Sequence, residues 1–331
     1  MIWLQFILCM ALIGFAGTKL SRYGDIIADK TGMGGTWVGL VMMASVTSLP
    51  ELITGISAVT VADAPNIAIG NVLGSCVFNL AFLAAVDFLY RGESMYTRAS
   101  QGHILSAGFG VMLLGFISFS LLLGGKAPAL GHVGLYSPII VLIYLAAMRT
   151  VYRYEQRQMA EYMEARAERY PHITLHQAAL RYAAAAAVVV AMGLWLPFLG
   201  RDIAAQMGWG QSFVGTLLVA LATTVPEMVV TVSAVRIGAL DMAVANLLGS
   251  NLFNLLLIAV DDVLFTDGPI LAHVSPMHLA TALSAITMTG AAIVGLLYRP
   301  AGRLFKRVGW VSLFLFSVYL LNSCVVFIHG E

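Results

Sequence analysis

A stretch containing a Pro-Glu pair occurs twice in this 331-residue chain, each time inside an apolar run. The first copy opens with TSLPE at Thr47–Glu51 and closes with GSCVFN at Gly74–Asn79. The second opens with TTVPE at Thr223–Glu227 and closes with GSNLFN at Gly249–Asn254. The offset between the copies is one position shorter at the asparagines than at the glutamates. A carboxylate inside an apolar run is energetically costly, so its repetition indicates a function.

The composition is that of a membrane protein. Hydrophobic residues make up 60% of the chain, charged residues only 11%, and the mean hydropathy is +0.87. A soluble domain carries roughly a quarter charged residues. Apolar runs long enough to cross a bilayer recur throughout the chain. We predict an all-α polytopic membrane protein with ten transmembrane helices. They are placed at 2–20, 36–60, 65–89, 103–123, 133–152, 177–198, 210–235, 241–264, 275–298 and 308–328.

One long connection divides these spans into two sets. Residues 153–176 are rich in Arg and Glu and predict a charged, solvated linker helix on the cytoplasmic side. The first five spans then form one five-helix repeat at 1–152, and the last five form a second at 177–331.

Lys and Arg are distributed unequally between the two sides of the predicted membrane. With the N-terminus outside, 16 of the 18 lie on the inner side, and only Lys126 and Arg201 lie outside. This bias predicts a multi-pass protein of the inner (plasma) membrane with both termini outside.

The repeated stretches begin at spans two and seven, so they cross the membrane in opposite directions. Inverted repeats of this kind place a shared site near the bilayer midplane in carriers.

Pro50 and Pro226 each remove a backbone donor from a helix and free carbonyl groups one turn earlier. Those carbonyls lie near Ala44–Thr47 and Ala220–Thr223. Open backbone at membrane depth is tolerated where it faces protein or a water-filled cavity. We therefore expect these carbonyls to point at a bound cation.

Side-chain oxygens three or four residues apart share one face of a helix. Such spacing joins Thr47 and Ser48 to Glu51, and Ser75 to Asn79, and the second copy repeats the arrangement. The predicted metal site comprises Glu51, Glu227, Asn79, Asn254, Thr47, Ser48, Thr223, Thr224, Ser75 and Ser250, with carbonyls such as those of Ala44 and Ala220. An all-oxygen set suits hard cations such as Ca²⁺ or Na⁺.

The acidic residues allow other interpretations. A kinked helix with a hydrogen-bonded carboxylate would explain one Pro-Glu pair, but two matched copies argue against it. Asp87, Asp261 and Asp262 lie near predicted span ends and are interpreted as interfacial or loop-capping residues. An ion-attracting vestibule is the alternative for Asp261 and Asp262.

Several functional classes are disfavoured. No hydrolase, zinc-protease, Walker or dinucleotide-binding motif occurs, so we predict neither an enzyme nor a cofactor. The net charge of +1 argues against a nucleic-acid partner, and no obligatory protein partner is evident. A channel could use the same oxygen ligands, but Pro-broken helices paired in inverted repeats favour a carrier.

The two pairs of motifs resemble the alpha repeats of the calcium/cation antiporter superfamily, and within it the prokaryotic sodium/calcium exchangers. The resemblance implies exchange of Na⁺ for Ca²⁺ by alternating access, with Glu51 and Glu227 binding Ca²⁺. It also implies sodium sites lined by Ser48, Thr224, the carbonyls of Ala44, Thr47, Ala220 and Thr223, and the hydroxyls of Ser75 and Ser250.

Asn254 departs from the family pattern, which usually has Asp there when the first repeat has Asn. Two carboxylates still balance one Ca²⁺ or two Na⁺, so exchange is permitted. A glutamate that binds a proton would instead make H⁺ the counter-ion. Exchange of H⁺ for Ca²⁺ or another divalent cation therefore stays open as the alternative.

Overall fold

The computed structural model describes residues 1–31, 46–90, 94–159, 172–300, 302–304 and 308–330. These parts contain ten long helices and two short antiparallel strand pairs. The helices are α1 (Ile2–Lys30), α2 (Leu49–Thr60), α3 (Pro65–Leu89), α4 (His103–Leu123), α5 (Tyr136–Met159), α6 (Leu175–Met207), α7 (Gln211–Arg236), α8 (Leu240–Leu264), α9 (Met277–Tyr298) and α10 (Trp310–His329). The strands are β1 (Ala129–Leu130) with β2 (Val133–Gly134), and β3 (Arg303–Leu304) with β4 (Val308–Gly309).

Eight of these helices are long and apolar enough to cross a membrane, namely α1, α3, α4 and α6 to α10. The chain is thus an α-helical membrane protein. Most helix ends agree with the predicted spans within a few residues, but α1 and α6 continue well past residues 20 and 198. The predicted second span corresponds to α2, and its part at 36–45 lies outside the described residues. The predicted fifth span corresponds to α5, which extends into the predicted linker as far as Met159. Residues 160–171 of that linker lie outside the described residues.

Helices α3 and α8 form the centre of the molecule. Most of their residues are buried, and neither helix contains Lys or Arg. Both contribute to the largest apolar core, together with α4 and α9. Because α3 carries Gly70 and Gly74, it lies directly against the backbone of α7 at Thr216. A Cβ on Gly70 would be 3.0 Å from the Thr216 nitrogen, and one on Gly74 would overlap its carbonyl oxygen. Small residues allow this close approach of helices in membrane bundles.

Hydrogen bonds at the ends of α3 and α8 show that the two helices run antiparallel. Asn66, in the first turn of α3, accepts from the backbone amide of Ser275, which follows α8. Asp241, in the first turn of α8, accepts from the backbone amide of Ser100, which follows α3. A histidine just beyond each serine also contacts the same acceptor, at 3.1 and 3.0 Å. The residues of the first set and those of the second set occupy equivalent positions in the two copies of the repeat.

Asp262 joins the end of α8 to the start of α5. It is fully buried and accepts backbone amides of Gly134 at 2.9 Å and Ile270 at 2.8 Å. Hydroxyl groups of Tyr136 and Ser137 donate to the same carboxylate. The loop-capping interpretation of Asp262 is therefore confirmed, and a vestibule role does not fit a carboxylate with four donors.

Asp87 makes the corresponding connection between α3 and α10. It accepts from Ser94 and Met95 just beyond α3, and from Gly309 and Ser312 at the start of α10. All of these donors except Ser94 have their repeat counterpart among the donors to Asp262. Each aspartate ties one half of the sequence to the other.

We expect Asp262→Asn to lower the free energy of unfolding by about 2 kcal/mol or more, because the amide nitrogen cannot accept and leaves buried donors unpaired. Thermal unfolding of the detergent-purified protein measures this. The matched control is Asp267→Asn, an exposed aspartate in the loop that follows α8. Equal unfolding temperatures for the two variants would contradict the role given to Asp262.

Candidate functional site

The two glutamates of the repeated motif lie inside the protein. Glu51 and Glu227 both have 0% exposure. The chain turns at Ser48, α2 begins at Leu49, and Pro50 therefore occupies the first turn, where a missing backbone donor is tolerated. Glu51 follows in the same turn.

Glu227 is held differently, because α7 continues through Pro226 without a break. The helix instead widens into a π-helical segment at Val214–Val219, before the motif begins. In this structure Thr224 donates its hydroxyl to the carbonyl of Ala220 at 2.6 Å, and the Thr223 hydroxyl oxygen lies 3.2 Å from the same carbonyl. These side chains satisfy a carbonyl at membrane depth, as Ser and Thr often do near a proline. Its expected counterpart, Ala44, lies outside the described residues.

Each carboxylate is contacted by a hydroxyl group of the opposite copy of the motif. Ser48 donates its hydroxyl to Glu227 Oε1 at 3.0 Å. Thr224, the residue paired with Ser48, has its hydroxyl oxygen 3.5 Å from Glu51 Oε1. Ser75 approaches the same oxygen at 3.4 Å. The two copies thus build one site rather than two.

The remaining predicted hydroxyls lie in the same network. Thr47 and Ser250 have their hydroxyl oxygens 3.4 Å apart, and those of Thr224 and Ser75 are 3.0 Å apart. Thr223 donates to Asn71 Oδ1 at 2.9 Å. All of these side chains are fully buried. The structure therefore brings together hydroxyls from α3, α7, α8 and the turn before α2.

The two asparagines of the motif have different surroundings. Asn79 donates to Asn251 Oδ1 at 2.9 Å. Residue 251 is paired in the repeat with Cys76, and the two face each other, with Asn251 donating to the Cys76 carbonyl at 3.2 Å. A cysteine side chain offers no amide to Asn254. Both amide atoms of Asn254 are consequently without a hydrogen-bond partner in the described part of the chain.

The site has an excess of negative charge and oxygen ligands. Helices α2, α3 and α8 contain no Lys or Arg, and α7 has one only in its last turn. Glu51 Oε2, Glu227 Oε2, Asn79 Oδ1 and Asn254 Oδ1 are buried without a donor among the described residues. A buried carboxylate is strongly disfavoured unless it is paired or binds an ion. The arrangement can therefore bind cations, with only oxygen ligands.

Sequence reasoning missed three asparagines of this network. Asn71 accepts from Thr223, and its repeat partner Asn246 donates to the Glu227 carbonyl at 3.3 Å. Their recurrence in the two copies was a usable signal. Asn251 carried no such signal, because its counterpart is a cysteine.

The chain matches one family model along most of its length. That model, described as sodium/calcium exchanger protein, matches residues 1–152 and 178–325. The chain is 22% identical to inner membrane protein YrbG of Escherichia coli (strain K12) over 94% of this chain and 93% of the relative. It is 25% identical to the sodium/calcium exchanger MaX1 of Methanosarcina acetivorans, over 92% of this chain and 93% of that protein.

A solved structure of an H⁺/Ca²⁺ exchanger, CAX, is similar in fold, with a TM-score of 0.71 at 14% identity, covering 99% of this chain and 86% of that one. One relative is thus named a sodium/calcium exchanger, and one structure of similar fold is named an H⁺/Ca²⁺ exchanger. The family match covers most of the chain, including every described residue of the glutamate site. The chain belongs to the sodium/calcium exchanger protein family.

Proposed function

We propose that this protein is a secondary active cation antiporter rather than an enzyme, exchanging Na⁺ for Ca²⁺ at the site between the two motifs. The observation that carries the proposal is the pair of fully buried glutamates, each contacted by a hydroxyl group of the other copy, on helices that bring no positive charge beside them. Cations supply the missing charge. Ca²⁺ takes about six to eight oxygen ligands, which two carboxylates, amides and hydroxyls can provide.

In this proposal Glu51 and Glu227 bind Ca²⁺ through the oxygens that lack donors in the described structure, with Asn79 and Asn254 beside them. Hydroxyls from both motifs and nearby carbonyls complete the sodium sites. These ligands are Thr47, Ser48, Thr223, Thr224, Ser75, Ser250, Ala44 and Ala220. Ala220 would exchange its present hydroxyl donors for a cation during transport.

The proposed architecture is ten transmembrane helices arranged as two inverted five-helix repeats, at 1–152 and 177–331. The antiparallel α3 and α8 support it, as do the contacts that recur at paired positions of the two copies. The family match is interrupted between 152 and 178, which supports a separate linker at 153–176. Inverted repeats allow alternating access, because two similar halves can exchange conformations around one site.

Both termini are proposed to lie outside, since 16 of 18 Lys and Arg then lie inside. Membrane-impermeant thiol labelling tests this with single cysteines in a chain whose three native cysteines are replaced. A cysteine at Lys126 should be labelled from outside, and one at Arg236 only from inside. The reverse pattern would invert the orientation.

We expect Glu51→Gln and Glu227→Gln each to reduce Ca²⁺ transport to below about a tenth of the wild-type rate. Loss of a charged ligand that contributes about 1.4 kcal/mol to binding already weakens ion affinity about tenfold. Gln preserves the shape and one acceptor, so the fold should persist. Ca²⁺ uptake into proteoliposomes is the measurement, with size-exclusion profiles reporting folding.

Asp202→Asn is the control for these variants, because Asp202 is an exposed acid on α6. It should transport at the wild-type rate. Unimpaired uptake in both glutamine variants would remove the basis of the proposal.

The coupling ion is tested with a driving-force experiment. Proteoliposomes loaded with Na⁺ should take up Ca²⁺ without a pH gradient, because two buried carboxylates can bind two Na⁺ in place of one Ca²⁺. Uptake that follows only a pH gradient would assign H⁺ coupling, the alternative favoured by the likeness to CAX. Flux that requires no counter-ion at all would indicate a channel.

A further inference from the structure

Asp261, near the end of α8, is another buried carboxylate, besides the glutamate pair, Asp87 and Asp262. It is 1% exposed, and neither oxygen has a hydrogen-bond partner in the described residues. Its neighbour Asp262 accepts four hydrogen bonds. A position near the end of α8 therefore does not by itself explain why Asp261 accepts none from the described residues. Neither α8 nor α2, against which it packs, carries a Lys or Arg. A buried carboxylate without a partner is unfavourable unless a cation or a proton neutralises its charge.

Asp261 contacts α2 at a point where Gly55 leaves room for it. A Cβ on Gly55 would lie 2.7 Å from Asp261 Oδ1 and 2.9 Å from Oδ2. A side chain at residue 55 would therefore displace the carboxylate. Gly55 follows Glu51 by four positions and lies one turn along the same face of the helix. The Asp261 carboxylate thus packs against α2 one turn beyond Glu51.

Thr54 adds another buried oxygen to α2, on the side that faces Gly193 of α6. Its hydroxyl is fully buried and has no hydrogen-bond partner among the described residues. It lies three positions after Glu51, so both side chains project from neighbouring positions on the helix. Oxygens without donors in the described structure therefore continue from the paired glutamates toward the C-terminal end of α2.

This feature is confined to one of the two copies. Val86 occupies the position paired with Asp261, and Thr231 the position paired with Gly55. Thr231 accepts a hydrogen bond from Asn246 instead. The duplicated ligand set therefore does not include Asp261, which lies toward the end of α8 that the proposed orientation places outside.

We propose that Asp261, packed against Gly55, forms an accessory site for a monovalent hard cation on the outer side of the glutamate pair. One carboxylate balances one positive charge, and carboxylate oxygens are ligands that hard cations prefer. The inference rests on the proposed function, because the accessory site passes its cation to the central site or receives one from it.

The test uses the full chain, purified in detergent, with Na⁺ as the probe. Thermal unfolding is followed as NaCl replaces choline chloride at constant ionic strength. The variant Glu51→Gln/Glu227→Gln lacks the charged central ligands, and we expect it to keep a Na⁺-dependent stabilisation. Adding Asp261→Asn to this double variant should abolish the Na⁺-dependent stabilisation that it keeps. Asp267→Asn, an exposed change, should leave it intact.

A transport measurement gives a second readout. In the otherwise wild-type chain, Asp261→Asn should raise the Na⁺ concentration for half-maximal exchange roughly tenfold, as expected for loss of a charged partner. Ca²⁺ affinity measured without Na⁺ should stay unchanged. Because Asn has the shape of Asp and removes an unpaired buried charge, the variant should fold. Gly55→Ala, which displaces the carboxylate, should reproduce the weaker Na⁺ response.

Wild-type Na⁺ dependence in both Asp261→Asn and Gly55→Ala would overturn the accessory site. A shifted pH dependence with an unchanged Na⁺ response would also overturn it, by assigning the carboxylate to a proton. Failure of the central proposal is separate, since it appears as transport that survives Glu51→Gln and Glu227→Gln.

Discussion

Two carboxylates share the interior of an apolar helix bundle, on helices that place no positive charge beside them. Burial of such groups is unfavourable unless a cation or proton accompanies them. Hydroxyls from the opposite motif occupy one oxygen of each carboxylate and leave the other without a donor in the described residues. The rest of the fold serves to hold this pair: glycines bring α3 against α7, and Asp87 and Asp262 tie each half of the sequence to the other.

The two halves share a scaffold but not its details. Pro50 starts a helix, whereas Pro226 lies within a continuous one. The amide of Asn79 has a partner in Asn251, while Asn254 has none among the described residues. A carrier needs similar halves to alternate access, and these local differences, with Asp261 on one side alone, show that the halves are similar rather than identical.

Much of this arrangement could be predicted from the sequence, because duplication preserves the residues that matter. The repeat identified the glutamates and their hydroxyl partners, and hydropathy identified most helices. Asn251 could not be found this way, since its counterpart is a cysteine. Asp262 and Asp261 are adjacent and chemically identical, and only their surroundings separate a loop cap from a carboxylate without a partner in the described residues. The helix is continuous at Pro226, with the hydroxyls of Thr223 and Thr224 near the Ala220 carbonyl, which propensity alone does not reveal.

The most direct test of the central claim is to locate the cation. Crystals soaked in Sr²⁺, a heavier analogue of Ca²⁺, would give anomalous density for the ion. The account predicts density between Glu51 and Glu227, within about 2.7 Å of a carboxylate oxygen from each, slightly longer than for Ca²⁺. Strong density elsewhere in the protein, with both glutamates free of it, would contradict the account.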